Sequence, residues 1–206
     1  MVSVNAAVMK RKSGMHNSSK SAAVSEAAGM NVCEVSETNT REAGSHLAAQ
    51  ALAALRACKA TLAVAESLTG GALAAEIVSV PGASQVFRGG AVTYATDTKA
   101  EVLGVSAERL AQAGPVDSCV AEQMARGAAQ LFRADYALAT TGVAGPGSAD
   151  GIEAGTVFVS VFTPHGSYTR QLTLRGNRGD VRAGTVEAAL RFLIEFTENT
   201  QVETGR

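Results

Sequence analysis

The chain has almost no net charge: 18 lysines and arginines against 19 aspartates and glutamates leave a formal charge of -1. No field of one sign draws it to DNA, RNA or an anionic membrane, and basic residues interleaved with aromatics are absent as well. A CxxC pair is also missing. Cys33, Cys58 and Cys119 are odd in number and far apart, which argues against a zinc or dithiol motif and fits reduced thiols in a cytoplasmic protein. Lys10, Arg11 and Lys12 are followed by Ser, Gly, Asn and Lys instead of an apolar run. The sequence therefore shows neither a secretory core nor a membrane-spanning segment. Histidine is scarce too: His16 falls in the N-terminal tail, His46 at the edge of the expected domain and His165 in a hairpin turn. A Ser-His-Asp triad is not expected from that placement.

What is present is ordinary globular material. With 206 residues, 46% of them hydrophobic, the chain is long enough for one domain with a real core. Residues 1–43 are poor in large apolar side chains and read as a disordered tail. The domain is expected over residues 44–198, with a flexible C-terminus at 199–206. Ser45 is positioned to cap a first helix carrying Leu47, Leu52 and Leu55 and ending near Cys58. A buried strand follows at Thr61 to Ala65, then the turn Glu66-Ser-Leu-Thr-Gly-Gly71 and an alanine-rich helix to about Val80. Further strands are read at 90–94, 136–140, 156–162 and 168–174, the last two joined as a hairpin around Thr163 to Ser167. Helices are read at 97–103, 107–113, 118–132 and 179–196, the last with Val181, Val186, Leu190, Leu193 and Ile194 inward. This alternation predicts an α/β fold: a three-layer α/β/α sandwich around a mixed, mostly parallel sheet. Ligands in such sheets gather beyond the carboxyl ends of the parallel strands, where Ser67 and the loop from Gly142 to Gly147 both fall.

Ser67 lies at a strand-to-helix junction before Thr69, Gly70 and Gly71, which suits a nucleophile beside backbone donors and equally suits a plain helix cap. A serine nucleophile needs a base, and Lys99 is the candidate, because a desolvated lysine loses its proton more readily. Tyr94 is placed to orient the pair through its hydroxyl. By spacing alone, a solvated helical lysine and a half-buried strand tyrosine explain both residues as well. The glycine-rich stretch with Thr141, Gly142, Gly145 and Gly147 permits close backbone approach to a phosphate or ring, but matches neither a Walker loop nor the dinucleotide fingerprint. Arg178 and Arg182, four residues apart at the start of the last helix, are candidate phosphate clamps or a solvated helix face.

Taken together, Ala65-Glu-Ser-Leu-Thr-Gly-Gly71, Val80-Pro-Gly82, Gly89-Gly-Ala-Val-Thr-Tyr94 with Lys99, Leu103-Gly-Val105 and Thr141-Gly-Val-Ala-Gly-Pro-Gly147 resemble the CinA C-terminal domain family in order and spacing. The likeness runs from about Ser45 to Phe196. It implies a nicotinamide-nucleotide amidase that converts nicotinamide mononucleotide to nicotinic acid mononucleotide and ammonia in pyridine nucleotide salvage. By the same likeness Ser67 attacks the carboxamide, Lys99 moves the proton, Tyr94 assists the relay, and amides around Thr69 to Gly71 hold the oxyanion. Glu66, Thr69, Gly70, Gly71, Thr141, Gly142, Gly145, Gly147, Arg178 and Arg182 are the expected substrate-binding residues, with no metal or organic cofactor. The expected partners are the nucleotide substrate and a second copy in a homodimer, with no direct nucleic acid and no membrane.

The chain departs from the family where Asp117 stands in place of the usual serine, where the loop from Gly147 to Gly151 is short, and in having only a tail ahead of the domain. That last departure reads as the stand-alone form. Two alternatives stay open: an amidase for another amide, suggested by Asp117, and a competence- or damage-linked regulatory or protein-binding module.

Overall fold

The computed structural model describes the backbone of residues 37–204 and the side chains of residues 45–197. Strands β1 (Leu62–Glu66), β2 (Phe87–Val92), β3 (Tyr136–Gly142), β4 (Thr156–Thr163) and β5 (Gly166–Thr173) form one sheet in the order β2-β1-β3-β4-β5. β1 runs parallel to β2 and β3, whereas the β3 to β4 and β4 to β5 pairs are antiparallel. Every residue of β1 is buried, as its uninterrupted apolar run requires of a parallel strand covered on both faces.

Side-chain alternation along β1 and β3 separates two cores. Leu62, Val64, Tyr136 and Leu138 face α1 (Glu37–Ala57), α2 (Ala72–Val78) and α6 (Arg178–Thr204), meeting Leu52, Leu55, Leu73, Ile77, Leu190 and Leu193. On the other face Ala63, Ala65, Ala137 and Ala139 meet Val120, Met124, Ala125 and Ala128 of α5 (Ser118–Phe132). The helices α3 (Thr96–Leu103) and α4 (Ala107–Ala113) complete that layer through Leu103 and Leu110. Each fully buried leucine contributes about 1.5–3 kcal/mol through apolar area removed from water. The alanine face allows α5 to lie close. Its Gly127 meets the end of α3 so tightly that a Cβ would sit 2.0 Å from the Leu103 carbonyl oxygen.

Three expected boundaries move. Helix α1, Glu37–Ala57, takes in residues 37–43 of the expected disordered tail and runs through Ser45, which therefore does not cap it; residues 1–36 of the expected tail lie outside the described residues. Strand β2 starts at Phe87 and ends at Val92, leaving Tyr94 beyond it. The glycines that read as a strand start are strand interior: a Cβ on Gly90 would lie 2.4 Å from Val64 Cγ2 of β1, so only a glycine lets the two strands pair there. Helix α6 extends to Thr204, into the segment expected to be a flexible C-terminus, and Val181, Val186, Leu190, Leu193 and Ile194 are all buried along it. A short 3-10 turn at Ala83–Gln85 was not expected from the sequence. Among the described residues, no helix is long and apolar enough to cross a membrane.

Candidate active site

β1 delivers the chain to the carboxyl edge of the sheet, where the Ser67 amide donates to the Thr140 carbonyl of β3 at 2.9 Å. The backbone then turns sharply through Gly70 and Gly71, at φ of 59° and 95°, a region that glycine enters at little cost. Glu66 is wholly buried, and its carboxylate accepts from the amides of Gly71 (2.9 Å), Leu73 (3.1 Å) and Ala74 (2.8 Å). An anion at a helix start satisfies donors that have no intrahelical acceptor. Glu66 therefore holds the turn and does not line the cavity beside Ser67.

Hydrogen bonds within the turn occupy two of the expected oxyanion donors, the amides of Gly70 and Gly71. The Gly70 amide donates to the Ser67 carbonyl at 3.1 Å, and the Gly71 amide is taken by Glu66. The amides of Leu68 and Thr69, the two residues after Ser67, have no protein acceptor among the described residues. Thr69 is buried with its hydroxyl 2.8 Å from that of Thr140. Neither Thr69, Gly70 nor Gly71 reaches the cavity wall.

Lys99 is the largest fully buried side chain among the described residues, and its Nζ donates to the Thr93 carbonyl at 2.7 Å and to Ser67 Oγ at 3.2 Å. Burial lowers its ammonium from the ordinary 10.5 to about 8, while the charge of Asp97 opposes the shift. Serine and lysine, 32 residues apart in sequence, thus share one hydrogen bond in a desolvated pocket.

The cavity they open into has a volume of about 450 Å³, within the range typical of small-molecule sites. Its wall also carries Leu68, Tyr94, Val116 and Arg178, together with the loop containing Thr141, Gly142, Gly145, Gly147 and Asp150. Leu68, Val116 and Asp150 were not singled out by sequence reasoning. Their positions next to Ser67, before the start of α5 and in the glycine-rich loop were the only local signals. Tyr94 is exposed, and its hydroxyl accepts from Arg178 Nη2 at 2.8 Å instead of bonding Ser67 or Lys99. Arg178 Nη1 donates to the Gly145 carbonyl at 2.9 Å, so this guanidinium bridges the strand side and the loop side of the opening.

Arg182 goes elsewhere. Its Nε and Nη2 donate to the carbonyls of Leu68 (3.2 Å) and Thr69 (2.7 Å), and it does not line the cavity. Thr141 is buried, with its hydroxyl donating to the Pro115 carbonyl at 2.7 Å. Gly142 is pressed on β4, where a Cβ would lie 2.6 Å from the Thr156 carbonyl oxygen. Asp117 is also outside the cavity: it caps α5 by accepting from Cys119 and Val120 and forms a paired contact with Arg109 Nε and Nη2. That guanidinium holds its carboxyl below the usual carboxylate range. The carboxylate is thus neutralised by its neighbours, not presented to a ligand. Among the described residues no group of three or more His, Cys, Asp or Glu is placed to hold a metal ion.

The CinA C-terminal domain model matches residues 44–197, nearly the whole described region. The chain belongs to the CinA C-terminal domain family. A CinA-like protein of Frankia casuarinae is 46% identical over 150 residues, covering 71% of this chain and 35% of that protein. A CinA-like protein of Geobacter metallireducens is 45% identical over 134 residues, covering 65% and 32% respectively. The chain thus spans about a third of the length of these curated relatives. Among solved structures, a competence-damaged protein (CinA) superfamily member from Klebsiella pneumoniae is 34% identical, with a TM-score of 0.73 over 78% of this chain and 99% of that one. The competence/damage inducible protein CihA of Agrobacterium tumefaciens is 34% identical, with a TM-score of 0.71 over 74% and 94%. These likenesses establish the α/β fold of the CinA superfamily.

Proposed function

We propose that this CinA-family domain hydrolyses the carboxamide of nicotinamide mononucleotide, releasing ammonia and nicotinic acid mononucleotide, with Ser67 as nucleophile and Lys99 as base. The observation that carries the reading is the buried Lys99 Nζ at 3.2 Å from Ser67 Oγ, on the wall of a cavity of suitable size. A lysine with a pKa of about 8 is neutral in about a tenth of molecules at pH 7, enough to serve as a general base. Arg178 supplies positive charge for a phosphate, and Asp150 supplies a carboxylate on the same wall. Opposite charges match a ligand that joins a cationic ring to an anionic phosphate.

Neutral Lys99 accepts the Ser67 proton as Oγ bonds to the carboxamide carbon. The Leu68 amide is available to the oxygen that becomes negative. Collapse breaks the C–N bond, and Lys99 returns the proton to the leaving nitrogen, which departs as ammonia. An acyl ester remains on Ser67. Water then attacks that ester, gives its proton to Lys99, and the acid departs as Lys99 re-protonates Ser67.

The test is ammonia release from nicotinamide mononucleotide by the purified protein beside Ser67→Ala. Release by the wild type and none by a folded variant is expected. No release by folded wild type refutes the amidase reading. The names of relatives such as the Agrobacterium protein favour a second reading, a regulatory role linked to competence or damage. That reading is favoured instead if Ser67→Ala leaves the cellular phenotype intact.

A further inference from the structure

Arg178 and Arg182 stand four residues apart on one helix, yet their guanidinium groups face different structures. Arg178 bridges the cavity mouth from Tyr94 to Gly145. Arg182 is part-buried behind the nucleophile turn and spans two successive backbone carbonyls, those of Leu68 and Thr69. We propose that Arg182 is a positioning residue that aims the backbone around Ser67, acting through peptide planes and not on the substrate. This deepens the amidase reading above and rests on Ser67 being its nucleophile.

The coupling follows from peptide geometry. Among the described residues the only cis bond is Gly145-Pro146, so each peptide of this turn is trans and its N–H points away from its C=O. Arg182 Nη2 fixes the Thr69 carbonyl, which directs the Gly70 N–H away from the arginine and toward the Ser67 carbonyl, where it bonds at 3.1 Å. That bond fixes the Ser67 to Leu68 plane in turn. The Leu68 N–H is thereby aimed; it and the Thr69 N–H, which shares a peptide plane with the Leu68 carbonyl held by Arg182 Nε, are the two amides of the turn with no protein acceptor among the described residues. Arg182 Nε holds the intervening plane through the Leu68 carbonyl.

Glu66 secures the far end of the turn through the Gly71, Leu73 and Ala74 amides, so the loop is gripped by a carboxylate on its donors and a guanidinium on its acceptors. A planar fork holds two separate nitrogens at fixed spacing against the two carbonyls, whereas a lysine gathers its donors on one nitrogen at the end of a flexible stem and does not reproduce that geometry. A phosphate clamp is a different arrangement, because Arg182 is absent from the cavity wall and already spends two donors on backbone.

The experiment compares wild type, Arg182→Lys and Arg182→Ala. The first readout is the rate at which a fluorophosphonate modifies Ser67, which requires no knowledge of the substrate. The second is kcat and KM for nicotinamide mononucleotide and for its nucleoside without phosphate. Circular dichroism and urea unfolding establish the folded fraction, and added guanidinium is tested for rescue of Arg182→Ala.

Expected is a fall of at least about tenfold in the labelling rate and in kcat, since losing an oxyanion donor outright costs about a hundredfold or more. The fall is equal for both substrates, with KM within about twofold of wild type and partial recovery in guanidinium. A KM increase confined to the phosphorylated substrate overturns the proposal, as does an unchanged labelling rate in a folded variant. If wild type is labelled at Ser67 but releases no ammonia, the amidase reading fails while the labelling rates still judge Arg182. A wild type not labelled at Ser67 overturns both.

Discussion

Replacing Lys99 by methionine tests the desolvated base through stability as well as catalysis. Burial brings its ammonium from the ordinary 10.5 down to about 8, a difference that corresponds to about 3 kcal/mol. Because the folded value is the lower one, the unfolded chain holds a proton between about pH 8 and 10.5 that the folded chain has lost. Stability therefore rises with pH through this window, and the cost of burying the charge is fully present below it. Methionine removes that cost but leaves the Thr93 carbonyl and the Ser67 hydroxyl without Lys99, an opposing loss of about 1–3 kcal/mol.

Lys99→Met is accordingly expected to lie within about 2 kcal/mol of wild type at pH 7 and to lack activity. Wild type gains up to about 3 kcal/mol relative to the variant as pH rises from about 8 to 10.5. Urea unfolding of both proteins across that range measures the difference directly, with other titrating groups cancelling between them. A difference that stays flat with pH refutes the desolvation argument and, with it, the assignment of Lys99 as a base active near neutrality.

The same titration governs turnover: kcat/KM is expected to rise with pH to a plateau above about 8, measured by ammonia release in overlapping buffers. Glu66→Ala leaves three buried or part-buried amides without their carboxylate and is expected to cost at least about 3 kcal/mol in urea unfolding. Gly127→Ala drives a methyl into the Leu103 carbonyl and is expected to destabilise by about 3 kcal/mol or more, read as a lowered thermal midpoint. Asp117→Ser retains a capping side chain while losing the Arg109 pair, so KM for the phosphorylated substrate is expected to remain at its wild-type value. Its small stability loss is present above the ordinary carboxylate range and vanishes as pH falls through the lowered Asp117 value, because wild type then loses the pair as well.

The sequence by itself determined the order of strands and helices, because burial on both faces demands an unbroken apolar run such as Leu62 to Ala65 and amphipathic spacing such as Val181 to Ile194. It also determined that Ser67 follows a strand and that the glycine-rich loop follows another, which places both beyond the carboxyl ends of the parallel strands β1 and β3. Partner choice was not local. Arg178 and Arg182 have identical chemistry and one-turn spacing, yet one meets Tyr94, 84 residues away, and the other meets Thr69, 113 residues away. Nothing within their own helix distinguishes them.

Tertiary structure likewise decided that Glu66 spends its carboxylate on the turn, that Asp117 faces Arg109 and not the cavity, and that Lys99, on a helix resembling a solvated one, is wholly buried. The physical reason is common to all of them. Periodicity records which face of an element avoids water, whereas a hydrogen-bond partner or a shifted pKa depends on which distant segment the fold carries to that face.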